Sequence, residues 1–186
     1  LPDAYLFNTG KKQWEKFERW PAAAAEKKTL YFHANGKLSF EAPSQAASKT
    51  AYVSDPLKPV PYIEDNTETM GFTPFNYMSE DQRFAARRTD VLTFQTEPLT
   101  EDVTLGGEIM AKLKISTTGS DADFFVKLID VYPGDEPNHA FMPNKNVILS
   151  NYHQMVRSEI MRARFRNSFE RPEALVPNKV TDVNFR

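Results

Sequence analysis

Between Asp90 and Pro133 the chain reads as three strands separated by two stretches of turn residues, the middle strand with a clear period of two. Ile109, Ala111, Leu113 and Ile115 alternate with Met110, Lys112, Lys114 and Ser116. Such alternation puts one apolar and one largely polar face on a strand. The spacing predicts strands over 91–96, 102–117 and 123–132. In the last of these, Phe124, Val126 and Leu128 lie on one side and Phe125 and Ile129 on the other, with Lys127 the interruption. Apolar on both faces, that strand is expected to lie deep, between two sheets or under a partner.

The chain in order supports a β-rich reading. Ala4 to Asn8 reads as a short strand, followed by a Thr9-Gly10-Lys11-Lys12 turn. Trp14, Phe17 and Trp20 follow at a spacing of three, which suits either a helical turn or an irregular strand. Leu30 to Glu41 alternates around Asn35-Gly36, a pair that accepts the positive φ values of a type I′ hairpin turn. Three prolines, Pro56, Pro59 and Pro61, exclude helix and central strand from 55–61. From Tyr62 to Arg88 there is no steady period, and Phe72, Phe75, Tyr77 and Met78 stand among turn residues. A long aromatic loop of this kind covers or lines something. Met161, Ala163 and Phe165 alternate with Arg162, Arg164 and Arg166, and Thr181, Val183 and Phe185 open a final strand. Many strands, long loops and no long helical pattern predict an all-β sandwich with Greek-key or jelly-roll wiring.

At 186 residues the expectation is one β-sandwich domain, 1–186, with a hydrophobic share of 40% to build its core. A net charge of −2 gives no electrostatic case for nucleic acid or an anionic membrane. No apolar run approaches the roughly 20 residues of a membrane helix. With no cysteine, disulfides and thiolate chemistry are excluded. Leu1 in first place points to a chain cut from a longer one.

The residues that carry chemistry elsewhere do not assemble into a catalytic motif here. There is no Gly-x-Ser-x-Gly elbow, and His33, His139 and His153 lack ligand spacing, so neither a catalytic role nor a metal site is assigned. Asp121 and Asp123 are spaced for calcium but lack the remaining ligands of a calcium loop. The competing reading has them accept backbone N–H groups or pair with Arg162, Arg164 or Arg166. Asp130, near the end of an apolar strand, needs a partner if buried, and one of those arginines is the expected one. Phe72, Phe75 and Tyr77 either line an apolar pocket or cap a core.

Several stretches together resemble one family. They are Tyr52-Val53-Ser54-Asp55-Pro56 with Pro59-Val60-Pro61, Asp81-Gln82-Arg83-Phe84, and Arg88-Thr89-Asp90-Val91-Leu92-Thr93-Phe94 with Glu97-Pro98-Leu99-Thr100-Glu101-Asp102. Asp121-Ala122-Asp123-Phe124, Lys127 to Pro133, Arg162 to Arg166 and the early Trp14, Phe17, Trp20 and Pro21 complete the set. The chain resembles the C-terminal domain of the X-prolyl dipeptidyl peptidase, cocaine esterase and α-amino acid ester hydrolase family, in particular the glutaryl-cephalosporin acylases.

The resemblance implies a jelly-roll-like β-sandwich and, in the parent, a serine hydrolase acting on a small acyl ester or amide. The triad and oxyanion hole would belong to an α/β-hydrolase domain of the same parent chain, so no triad residue is carried onto this one, and no cofactor is implied. The domain would pack on the hydrolase domain and help wall the acyl pocket through the variable loop, which holds Phe72, Phe75 and Tyr77. Family members continue past Phe185 into further strands, so an open sheet edge and a possible homo-oligomer are expected. The compartment stays open, with a periplasmic or secreted protein favoured by the resemblance. The competing function is an independent carbohydrate- or ligand-binding β-sandwich, which would need exposed, coplanar aromatic rings.

Overall fold

A computed structural model describes residues 2–44, 48–64, 78–140 and 147–186. The described residues form eight strands, one four-residue α-helix and two short 3-10 turns, an all-β protein. They divide into two units, Leu1–Thr50 with Phe94–Ile109, and Ala51–Thr93 with Met110–Arg186.

In the first unit, β1 (Ala4–Asn8) and β2 (Gln13–Phe17) form an antiparallel hairpin with Phe7 opposite Trp14. The turn is closed by the Asn8 carboxamide, whose Oδ1 accepts the Lys11 N–H at 3.0 Å. Trp14 and Phe17 thus belong to a strand, which settles the ambiguity of their spacing. Trp20 and Pro21 lie over Gly106 and Gly107, where a Cβ would approach the Trp20 ring to 3.1 Å and Pro21 Cγ to 3.2 Å. Strands β3 (Tyr31–Phe32) and β4 (Leu38–Ser39) flank the Asn35-Gly36 turn, whose φ values of 59° and 74° are positive as expected. The loop spans three residues, a 3-10 turn at Ala34–Gly36, with the His33 N–H donating to the Lys37 carbonyl at 2.8 Å and Phe32 opposite Leu38.

The second unit carries the core. Strand β5 (Ala111–Ile115) pairs antiparallel with β8 (Thr181–Phe185), Leu113 opposite Val183. Strand β6 (Asp123–Val131) pairs antiparallel with β7 (His153–Arg162), Phe124 opposite Met161. Ala111, Leu113 and Ile115 of the first ladder and Phe124 and Val126 of the second meet around Met161, Ala163, Leu175, Val183 and Phe185. Val183 and Ala163 are fully buried. Removing a Val-sized side chain from water contributes about 1.5–3 kcal/mol.

Four expectations are corrected. The strand expected over 102–117 is limited to Ala111–Ile115; residues 101–110 are exposed and have no partner strand among the described residues. The strand expected over 91–96 is reduced to a single bridge, Lys37 to Gln95. β6 is not buried on both faces, since Phe125 is 63% exposed opposite Ile160. The Arg162–Arg166 stretch is the end of β7 rather than a strand of its own: the chain turns into a 3-10 helix at Ala163–Phe165, where fully buried Ala163 leaves no room for a longer side chain.

Candidate functional site

The aromatic residues expected to wall a pocket, Phe72, Phe75 and Tyr77, lie outside the described residues. Both stems of the segment that carries them are described. The first ends at Tyr62-Ile63-Glu64, after prolines 59 and 61, and the second starts at Met78 and runs into α1 (Arg83–Ala86).

The second stem is fastened to the start of β7. Tyr152 Oη donates to the Ser79 carbonyl at 2.5 Å. The Gln82 N–H donates to the His153 carbonyl at 3.1 Å. Asp81 Oδ1 accepts the N–H groups of Arg83 (3.0 Å) and His153 (3.2 Å), and Oδ2 accepts Arg83 Nε at 2.5 Å. Burial pushes the Asp81 carboxyl up, but the Arg83 guanidinium and the two N–H donors outweigh it and hold the group below its ordinary value. Arg83 is raised in turn, chiefly by Asp81, with the Glu64 carboxylate of the first stem adding to the field. Burial pushes His153 down, against the pull of Asp81. It pushes Tyr152 up, with Asp81 and Glu80 acting in the same direction.

Lys127 stands at the centre of this arrangement. Its Nζ donates to Gln82 Oε1 at 2.6 Å and lies 4.8 Å from the centre of the Tyr62 ring. Burial lowers its pKa. Gln82 is 3% exposed, and its Nε2 donates to the Glu80 carbonyl at 2.8 Å. Both ends of that carboxamide are therefore used, and loss of the Lys127 donor would leave a buried acceptor unpaired at a cost of about 1–3 kcal/mol. In the sequence Lys127 stood out as an interruption and as the first residue of a resembling stretch, with no partner named for it. The available signal was a single ammonium in a strand otherwise apolar on both faces, which requires a partner.

The stretches that carried the family resemblance also hold structure together. Arg88 forks onto Asp90 (2.8 and 2.6 Å) and donates to the Lys58 carbonyl at 3.1 Å. This ties the proline-rich segment to Arg88-Thr89-Asp90 beside a shallow depression that Asp55 and Arg87 also line. Arg164 Nη2 meets Asp121 at 2.6 Å, and Asp121 Oδ1 accepts the Arg164 N–H at 3.2 Å. Arg162 Nε lies 3.5 Å from Asp123, its register partner across the ladder. Asp121 and Asp123 thus face separate arginines. Asp130 is exposed at the other end of the same ladder, opposite Gln154, and the antiparallel register carries Arg162 and Arg164 away from it. The expectation that one of these arginines partners Asp130 is corrected.

His33 Nε2 is hydrogen-bonded to the Glu41 carbonyl at 2.9 Å, and His139 is exposed in a loop. The Ser150 hydroxyl donates to the Gly134 carbonyl at 2.7 Å. On the β1–β2 hairpin, Trp14 is 59% exposed, with the Tyr5 ring inclined to it by 35° and Phe7 by 63°. Rings so inclined do not form the flat platform that stacks on a sugar.

An all-β chain whose polar clusters brace loops and strand ends has the character of a supporting domain. Residues 2–186 match the X-Pro dipeptidyl-peptidase C-terminal non-catalytic domain, and the chain belongs to that family. Cocaine esterase of Rhodococcus sp. (strain MB1 Bresler) is 30% identical over 141 residues, 72% of this chain and 24% of that protein. The crystal structure of an aminopeptidase from the marine sediment archaeon Thaumarchaeota archaeon is 39% identical with a TM-score of 0.89, covering 100% of this chain and 30% of that one. A selenomethionine-labelled α-amino acid ester hydrolase is 37% identical with a TM-score of 0.82, covering 99% of this chain and 30% of that one. The chain thus spans under a third of the length of these relatives.

Proposed function

We propose that this chain supports a serine acyl-hydrolase of the ester- or amide-cleaving kind, an acylase, esterase or X-Pro dipeptidyl peptidase, as its non-catalytic C-terminal domain. It packs on an α/β-hydrolase domain of the same parent chain, which holds the nucleophile. The observation that carries this reading is the match of residues 2–186 to a domain described as non-catalytic, in relatives more than three times as long.

The part played by this chain is to wall the acyl pocket through the variable loop between Ser54-Asp55-Pro56 and Asp81-Gln82-Arg83, with Phe72, Phe75 and Tyr77 as the apolar surface. Such a wall binds the acyl group and excludes water, and it transfers no proton. The braced second stem supports this, because a wall has to hold its position. The Asp121–Arg164 and Asp123–Arg162 pairs brace the strand ends and take no part in chemistry.

The test is substitution of Phe75 by Ala in the full parent. The expected result is a KM for acyl esters raised several-fold with kcat within about twofold, the signature of lost uniform binding. An unchanged KM for every acyl length would contradict the wall.

A further inference from the structure

One ammonium touches both stems of the segment between Tyr62 and Gln82. Lys127 Nζ reaches Gln82 Oε1 at 2.6 Å on one side and the Tyr62 ring, 4.8 Å to its centre, on the other. Lys127 lies on β6 opposite Ser158, well inside a ladder that continues to Arg162 at one end and His153 at the other. The stems therefore meet over a fixed strand.

The second stem has further fastenings through Tyr152 and Asp81. The first follows a proline-rich stretch with a turn at Asp55–Lys58 and reaches the ladder through the Tyr62 face, with the Glu64 carboxylate contributing to the field at Arg83. An ammonium has three donors and a compact charge, so it can serve an amide oxygen and an aromatic face together.

We infer that Lys127 is a positioning residue that clamps both stems, at Tyr62 and at Gln82, to β6. The consequence for catalysis rests on the reading of Phe72, Phe75 and Tyr77 as a pocket wall; the clamp itself does not. Lys127→Met keeps the aliphatic stem and removes the donor and the charge. Lys127→Arg keeps both.

The test is hydrogen exchange and ester kinetics on the full-length parent enzyme. Lys127→Met is expected to speed amide exchange about tenfold in peptides covering 60–64 and 79–84, with 111–115 unchanged. Lys127→Arg is expected to restore most of the protection. Tyr62→Leu, which leaves the Gln82 bond intact, is expected to loosen 60–64 alone and keeps the test available if Lys127→Met does not fold. Wild-type exchange at either stem in Lys127→Met, or at 60–64 in Tyr62→Leu, would overturn the clamp.

In the same proteins Lys127→Met is expected to raise KM several-fold with kcat within about twofold, and Lys127→Arg to reverse this. Stems that loosen while KM stays at wild type in both Lys127→Met and Phe75→Ala would uphold the clamp and end the wall reading. A raised KM in Phe75→Ala alone, with stem exchange in Lys127→Met as in wild type, would do the opposite.

Discussion

Asp81 serves as a hub for two backbone donors and one guanidinium, so its charge matters more than its size. Its carboxyl lies below the ordinary value of 3.8 in the fold. A depressed carboxyl contributes stability in full above the ordinary value, and that contribution is lost as pH falls through the depressed one. Urea unfolding of Asp81→Asn is therefore expected to show a flatter stability curve below about pH 4 than the wild type. Parallel curves would contradict the assignment. The Tyr152 hydroxyl makes one neutral hydrogen bond at 2.5 Å, to the Ser79 carbonyl. Tyr152→Phe is expected to cost about 0.5–1.5 kcal/mol in the same experiment. Fully buried Val183 lies in the core, and Val183→Ala is expected to cost about 2 kcal/mol. The residue types involved were visible in the sequence; their partners were not. Asp81-Gln82-Arg83 stood out as a stretch, yet nothing in its spacing named Lys127 or Tyr152, which are distant in the chain.

At the level of elements, β5 and β8 were legible because each has one buried face, and burial of alternate residues leaves a period of two. Which strand pairs with which was not legible, because alternation fixes faces and leaves neighbours open. The extent of β5 was overestimated for a related reason: 102–110 carries apolar residues such as Ile109 but has no ladder among the described residues. The β6–β7 ladder hides a further device. Leu128 pairs with Arg157 and Ile129 with Met155, so Val156 is the extra residue of a bulge. The bulge changes which side chains of β7 face each side and places Met155 among the buried residues. Deletion of Val156 would remove the extra residue and straighten the strand where the bulge bends it. The expected outcome is a clearly lowered thermal midpoint, whereas Val156→Ala stays near wild type. Gly107 shows the same dependence on backbone shape, with φ at +101° and Pro21 Cγ 3.2 Å from where a Cβ would sit.

Across the whole molecule, the polar residues that attract a functional reading are occupied in holding chain segments to strands. Arg88 ties the proline-rich run, Asp81 ties α1 and β7, and Lys127 joins two stems to β6. This is the work of a scaffold, and it agrees with membership of a family described as non-catalytic. The class of the fold and the family were readable from the sequence because strand alternation and the ordered short stretches are local features. Phe72, Phe75 and Tyr77, proposed as a pocket wall, were readable only as a loop composition, since a loop without a period carries no information about where its side chains point. The central claim is that catalysis resides outside this chain. The most direct measurement is hydrolysis of p-nitrophenyl and amino-acid esters by this polypeptide beside its full-length parent. Turnover by the parent alone is the predicted result. Turnover by the isolated polypeptide, abolished by a serine-directed inhibitor, would contradict the account.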